Sequence, residues 1–468
     1  MVIDMEHGEI ELTHSKKNMV SYGFCDFIFQ FLAMAFGVYS YFYYETEIGL
    51  DSLLCGLAFV IYAIWNAVND PLIGYITDRP FKFTKKWGRR FPWVFIGGVP
   101  WIISYVLIFT PPDVNPQSGA WILFGWLLFT ICLYDTFGSI CLVNYFSLFA
   151  DKFRSVEERR TLTGVAIPVG VLGVLLGAIV PPLLITFGNL QSYILQAGAV
   201  FLVCLIALIL TIPGCREDQV TVDRYLINYD EKMKTESFFK EFKTSLTQKS
   251  FVAYILLYFC YQVMIKSMTA SVSYAVRFML KMEAIAIASI MLAYLIGVII
   301  ALPLWVKLAH KTNDNRKVMV ISGILMIFSV APLIFIEDYF LIILTMFVWG
   351  LTQGGFWAML NPVLADVIDE SVVKTGKREE GLYNGFQTFF ARLAFAAQAV
   401  SFAIIHSLTG FQEGATTQSE TAIWGIHMHL ALIPMIFMIV GLLIFNKMYD
   451  LTPDLVNENQ LKIKQLKL

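Results

Sequence analysis

Charge is scarce in this 468-residue chain: Lys, Arg, Asp and Glu make up 15% of it, and the formal net charge is −2. Soluble domains average about 25% charged residues, so a soluble globular protein is excluded. A balance this close to zero names no partner, and no nucleic acid is expected. The seven cysteines (25, 55, 132, 141, 204, 215, 260) form no paired motif, so reduced packing residues are expected rather than a disulfide framework. The six histidines show no metal-ligand spacing; His427 and His429, two apart, point to different sides of a helix. No phosphate-binding glycine loop is present, which argues against a primary pump, and no nucleophile–base pair supports an enzyme. The first 18 residues are polar and lack a short apolar core, so no cleaved secretory leader is expected.

What is abundant is apolar sequence: 57% of residues, with mean hydropathy +0.66. Runs of spanning length lie at about 19–46, 51–78, 91–111, 119–149, 162–187, 191–213, 251–279, 284–309, 318–336, 339–369, 382–408 and 422–449. They predict an all-α membrane protein of twelve helices. With both termini inside, 30 of the 34 Lys and Arg fall on the cytoplasmic side, while the loops 110–118 and 409–421 carry none. The segment 214–249 is the only long polar linker. It separates an N-terminal six-helix half (1–213) from a C-terminal half (250–450) with a cytoplasmic tail (451–468).

The halves repeat. Ala150-Asp151, Glu158-Arg159-Arg160 and Gly164 have counterparts in Ala365-Asp366, Arg378-Glu379-Glu380 and Gly385. The end of helix 2 (Gly74 to Asp78-Arg79, then Gly88-Arg89-Arg90) corresponds to Lys307 to Lys311, then Asn315-Arg316-Lys317 after helix 8. Two repeated six-helix halves are the major facilitator layout.

The stretch Trp65-Asn66-Ala67-Val68-Asn69-Asp70-Pro71 lies inside the second run. Asn66 and Asp70 are four apart and share a helix face, with Asn69 beside them. Pro71 deprives the Ala67 carbonyl of its helical donor. A carboxylate and two amides at membrane depth point to an ion or substrate site; a packing kink with a capped Asp is the alternative.

The chain resembles the glycoside–pentoside–hexuronide:cation symporters, the melibiose permease branch of the major facilitator superfamily. The matching residues are Ser21-Tyr22-Gly23-Phe24, Trp65 to Gly74, and Trp87-Gly88-Arg89-Arg90-Phe91-Pro92-Trp93. They continue with Ser147-Leu148, Glu158-Arg159, Phe356-Trp357, Ala365-Asp366, Asp369, Gln387-Thr388 and Arg392. The resemblance implies a cation site in which the first of two helix-2 acids is here Asn66, the second is Asp70, and a helix-4 hydroxyl is Ser139. A helix-11 lysine corresponds to Arg392. Of the sugar-contact positions, Trp357 is retained; the others are Gln30, Leu142, Phe146 and Ile167. Gln30, Asp70 and the helix-11 cation are also similar to the animal sodium-dependent lysophosphatidylcholine symporters.

Asp26 shares a face with Gln30, and by helical rise it lies at the depth of Asp70, roughly 10 Å in. It is expected either to stand in for the acid missing at Asn66 or to snorkel at the headgroups. Asp135 and Ser139 share a face of helix 4, with Asp135 near mid-membrane. Lys266 and Arg392 are expected to supply positive charge, either of them pairing with Asp135. Asp78, Arg79, Arg89 and Arg90 read as a gating cluster and as topogenic positive charge. Phe42, Tyr43 and Tyr44 read as an interfacial aromatic belt.

The function these residues predict is cation-coupled symport of an organic solute, a sugar, glycoside or related molecule, by alternating access between the halves. The alternative within the superfamily is a lysolipid or other amphiphile symporter. A receptor with a silent transporter fold should have lost its intramembrane charges, and these are present. The expected cation residues are Asp70, Asn66, Asn69 and Ser139, for Na⁺ or H⁺, with no metal beyond Na⁺ at Asp70 and no organic cofactor. The expected solute residues are Gln30, Asp26, Asp135, Phe146, Lys266, Trp357 and Arg392. The partners are a small solute and the lipid bilayer. A monomer in the cell membrane with both termini cytoplasmic is expected.

Overall fold

The computed structural model describes residues 14–79, 81–153, 155–228, 247–376 and 380–466. Arg378 and Glu379 of the second repeat, and linker residues 229–246, lie outside them. Among the described residues, twelve helices are long and apolar enough to cross a membrane. They are α1 Lys16–Phe42, α2 Ser52–Thr77, α3 Phe91–Ile108, α4 Ala120–Lys152, α5 Val156–Leu184, α6 Leu190–Leu210, α7 Lys249–Tyr274, α8 Ile285–Thr312, α9 Asn315–Val330, α10 Tyr339–Thr375, α11 Glu380–Thr409 and α12 Glu420–Met448. No strand occurs among the described residues. π-Helical turns extend α1 (Tyr43–Ile48) and α7 (Ala275–Met279) and interrupt α12 (Met428–Leu432).

Local chemistry sets the helix starts. Ser15 accepts from Asn18 N, Ser155 from Glu158 N, Asp314 from Lys317 N, Asp338 from Leu341 N and Ser419 from Ala422 N. Each such cap contributes about 1 kcal/mol. α2 runs unbroken past Pro71.

The helices form two compact units. The first contains Met1–Leu50 and Ile64–Lys234, the second Asp51–Ala63 and Thr235–Leu468. In the first unit α1 lies on α5 and α3 on α4; in the second α8 lies on α10 and α7 on α12. Small residues allow this approach. A methyl placed on Gly173 of α5 would sit 3.0 Å from the Phe27 Cα of α1. In the second unit Glu413 accepts from Ser52 N (3.1 Å) and Ser52 Oγ (2.7 Å), fixing the start of α2.

One expectation is corrected. Phe42, Tyr43 and Tyr44 are not an interfacial belt; all three are core residues, at most 1% exposed. Tyr44 OH donates to the Ile108 carbonyl at 2.8 Å and Tyr43 OH to that of Phe109 at 3.2 Å. The end of α3 thus supplies the acceptors that make burial of the hydroxyls tolerable. All seven cysteines are free; six are buried and Cys132 is partly exposed.

Candidate functional site

The face of α2 that carries Asn66, Asn69 and Asp70 meets α4 within the first unit. Asn66 Nδ2 donates to Asp135 Oδ1, and Asn69 Nδ2 donates to Asp135 Oδ2 at 3.1 Å. One turn along α4, Ser139 Oγ donates to Asp70 Oδ1. Asn66, Asn69, Asp135 and Ser139 are 3–6% exposed, and Asp70 is half-buried. Trp65 Nε1 donates to Thr136 Oγ1 at 3.0 Å, closing the same helix pair. The reason is periodicity: 66 and 70 on one helix, like 135 and 139 on the other, are one turn apart. Two carboxylates, two amides and a hydroxyl therefore gather along one helix pair, in a group held by Asp135 and a pair formed by Asp70 and Ser139, and their oxygens are of the hard type that suits an s-block cation.

The acid that meets Asn66 is Asp135, from α4. Asp26 lies elsewhere. Gln30 Nε2 donates to its Oδ1 at 3.5 Å, and its carboxylate lies against Gly170 of α5, where a side chain would collide with it. Phe146 is 53% exposed and meets Phe29 edge-to-face at 6.2 Å.

In the second unit, Lys266 Nζ of α7 lies 3.5 Å from the centroid of the Phe395 ring of α11, a cation–π contact. Arg392 lies on the same helix as Phe395, three residues before it. Trp357 of α10 is half exposed. A polar ladder that hydropathy alone does not reveal runs along α7. Tyr254 OH accepts from Gln387 at 2.8 Å, Tyr258 OH from Gln262 at 2.6 Å and Tyr261 OH from Gln353 at 2.6 Å. Tyrosines four and three apart on an apolar helix were the available signal.

The charge cluster lies at the ends of α2, α3 and α4. Arg90 Nη2 contacts Asp78 at 2.6 Å, and Arg89 Nη2 contacts Asp151 at 2.6 Å. Arg90 also reaches Asp151 through Nε (3.5 Å) and Asn144 through Nη1 (3.2 Å). Arg79 turns away, lying over the Tyr75 ring at 4.4 Å and bonding its hydroxyl. Asp151 and Asn144 thus join Asp78, Arg89 and Arg90.

A family profile described as MFS/sugar transport protein matches residues 21–452. The chain belongs to this family. Its relatives include the sodium-dependent lysophosphatidylcholine symporter 1 of Xenopus tropicalis, 22% identical over 82% of this chain and 77% of that one. They also include the isoprimeverose transporter of Lactiplantibacillus pentosus, 24% identical over 93% and 92%. Among solved structures, a point mutant of the nucleoside transporter NupG superposes with a TM-score of 0.63 at 12% identity, covering 93% of this chain and 100% of that one. This family member is a multi-pass membrane transporter of the major facilitator fold, a cation-coupled solute symporter.

Proposed function

We propose that this symporter couples Na⁺ to an amphiphilic solute, one with a polar head and an apolar part, such as a glycoside of an apolar alcohol or a lysolipid. The observation that carries the ion reading is the network of Asn66, Asn69, Asp70, Asp135 and Ser139. A proton needs one basic oxygen. Neutral amide and hydroxyl oxygens beside carboxylates suit a hard cation such as Na⁺. The sodium-dependent relative supports the same choice. Asp70, Asn66, Asn69 and Ser139 hold the ion; Gln30, Asp26, Lys266, Trp357, Phe146 and Arg392 serve the solute. No organic cofactor is used and no chemistry is performed on the solute. The site opens to each side in turn as Asp78, Arg89 and Arg90 lock and release the helix ends.

Hydrogen-bond accounting supports the solute class. A desolvated sugar needs most of its hydroxyls paired, and each unmet group costs about 1–3 kcal/mol. Leu142, Phe146 and Ile167 offer none, and Phe146 and Ile167 present more than half their surface. The relatives' names cover both a sugar derivative and a lysolipid. In proteoliposome competition, an alkyl or aryl glycoside or a lysolipid should displace bound solute at concentrations roughly tenfold below those of a simple disaccharide. Tighter binding of the disaccharide overturns the solute reading and leaves the ion reading standing.

Basic residues concentrated in alternate loops support a cell-membrane protein with both termini cytoplasmic.

A further inference from the structure

The stretch that leaves α6 and enters the linker, residues 214–225, is fastened to the first unit. Gly214 N donates to Ser21 Oγ at 2.8 Å. The buried Lys152 Nζ donates to the carbonyls of Gly214 and Arg216, both at 2.8 Å. Glu217 Oε2 accepts the backbone N–H groups of Arg90 (2.7 Å) and Phe91 (3.0 Å), capping the start of α3. Gly88, with φ +92°, makes room: a side chain there would be strained and would strike Glu217. The His14 ring reaches Glu158 and Asp218, each at 2.7 Å. Tyr225 OH donates to the Asp78 carbonyl at 2.6 Å, and its ring lies 4.4 Å from the Arg89 guanidinium.

These are expensive contacts for a mere connector. Burial pushes the Glu217 carboxyl up and the Lys152 amine down from their ordinary ranges. A connector needs only length, at about 3.3 Å per extended residue, and would leave such charges in water. Instead, Glu217 grips the backbone of the residue whose side chain holds Asp78, Asp151 and Asn144, and Tyr225 touches both Asp78 and Arg89.

We propose that residues 214–225 are a working part of the charge cluster, with Glu217 a positioning residue for Arg90 and Tyr225 one for Arg89. Segment and cluster then move as one piece during transport. This rests on the gating role given above to Arg89 and Arg90.

Full-length variants in proteoliposomes test it through maximal uptake rate and half-saturating Na⁺, with membrane-inserted protein quantified. Arg90→Ala should lower the maximal rate at least roughly tenfold, a loss of the size expected for one charged hydrogen bond. Glu217→Ala should lower it by a similar factor with half-saturating Na⁺ unchanged. Glu217→Gln, whose amide oxygen still accepts both N–H groups, should stay within about twofold of the native rate. The deciding comparison is the double variant. If Glu217 acts through Arg90, Glu217→Ala adds no loss in the Arg90→Ala background. An equal loss in both backgrounds makes Glu217 a folding cap only and overturns the inference while the gating role stands. A native rate in Arg90→Ala removes the gating role and this inference together.

Discussion

Asp70→Asn should abolish Na⁺-driven accumulation while leaving the protein folded and inserted. The change is isosteric, and the Ser139 hydroxyl can still donate to the amide oxygen. What is lost is the full negative charge beside which a cation must shed its water. Hydrogen bonds and contacts to a charged group contribute about 1.5–3 kcal/mol, so ion affinity should fall roughly 10- to 100-fold. Gradient-driven uptake should drop to the level of protein-free vesicles, with size-exclusion behaviour unchanged. Accumulation at the native level would remove Asp70 from the ion site.

Asp135 should be nearly as sensitive, for a different reason. Its two oxygens take one amide donor each, from Asn66 and Asn69. Asp135→Ala removes an acceptor from each amide in a buried place, at about 1–3 kcal/mol each, and loosens how both are held. Thermal stability should fall, and half-saturating Na⁺ should rise at least roughly tenfold. Asn66→Asp combined with Asp135→Asn exchanges acid and amide across one contact. It keeps the charge count and an acceptor–donor pair, so it should recover much of the uptake that Asp135→Asn alone loses. If the exchange is no better than the single variant, the carboxylate is required on α4 specifically.

The twelve spans could be read from the sequence because hydrocarbon demands long uncharged helices, and few soluble patterns imitate them. The ends were less legible where polar side chains close them. The run assigned to α10 stops at 369, yet the helix reaches Thr375, because Glu370 is satisfied by Gln248, Ser250 and Lys374. Hydropathy sees that turn only as charge. The α2 half of the ion network was visible in spacing, since 66, 69 and 70 are neighbours on any helix. That Asp135 meets Asn66, 69 residues away, is a tertiary fact that no local pattern encodes. The placement of Phe42-Tyr43-Tyr44 is hidden from the sequence for a related reason. Tyrosines look alike at a headgroup belt and in a core, and only the α3 carbonyls that accept from them tell the two apart.

The single partly exposed thiol of the chain sits on α4 three residues before Asp135. One helical turn separates it from the carboxylate that holds both amides, so the two lie on neighbouring parts of one helix surface. We expect the thiol to serve as a native reporter of ion binding, with no engineered label needed. The rate at which a small maleimide alkylates Cys132 should slow as Na⁺ is added and keep its resting value when the same concentration of choline is used instead, giving an occupancy assay independent of transport.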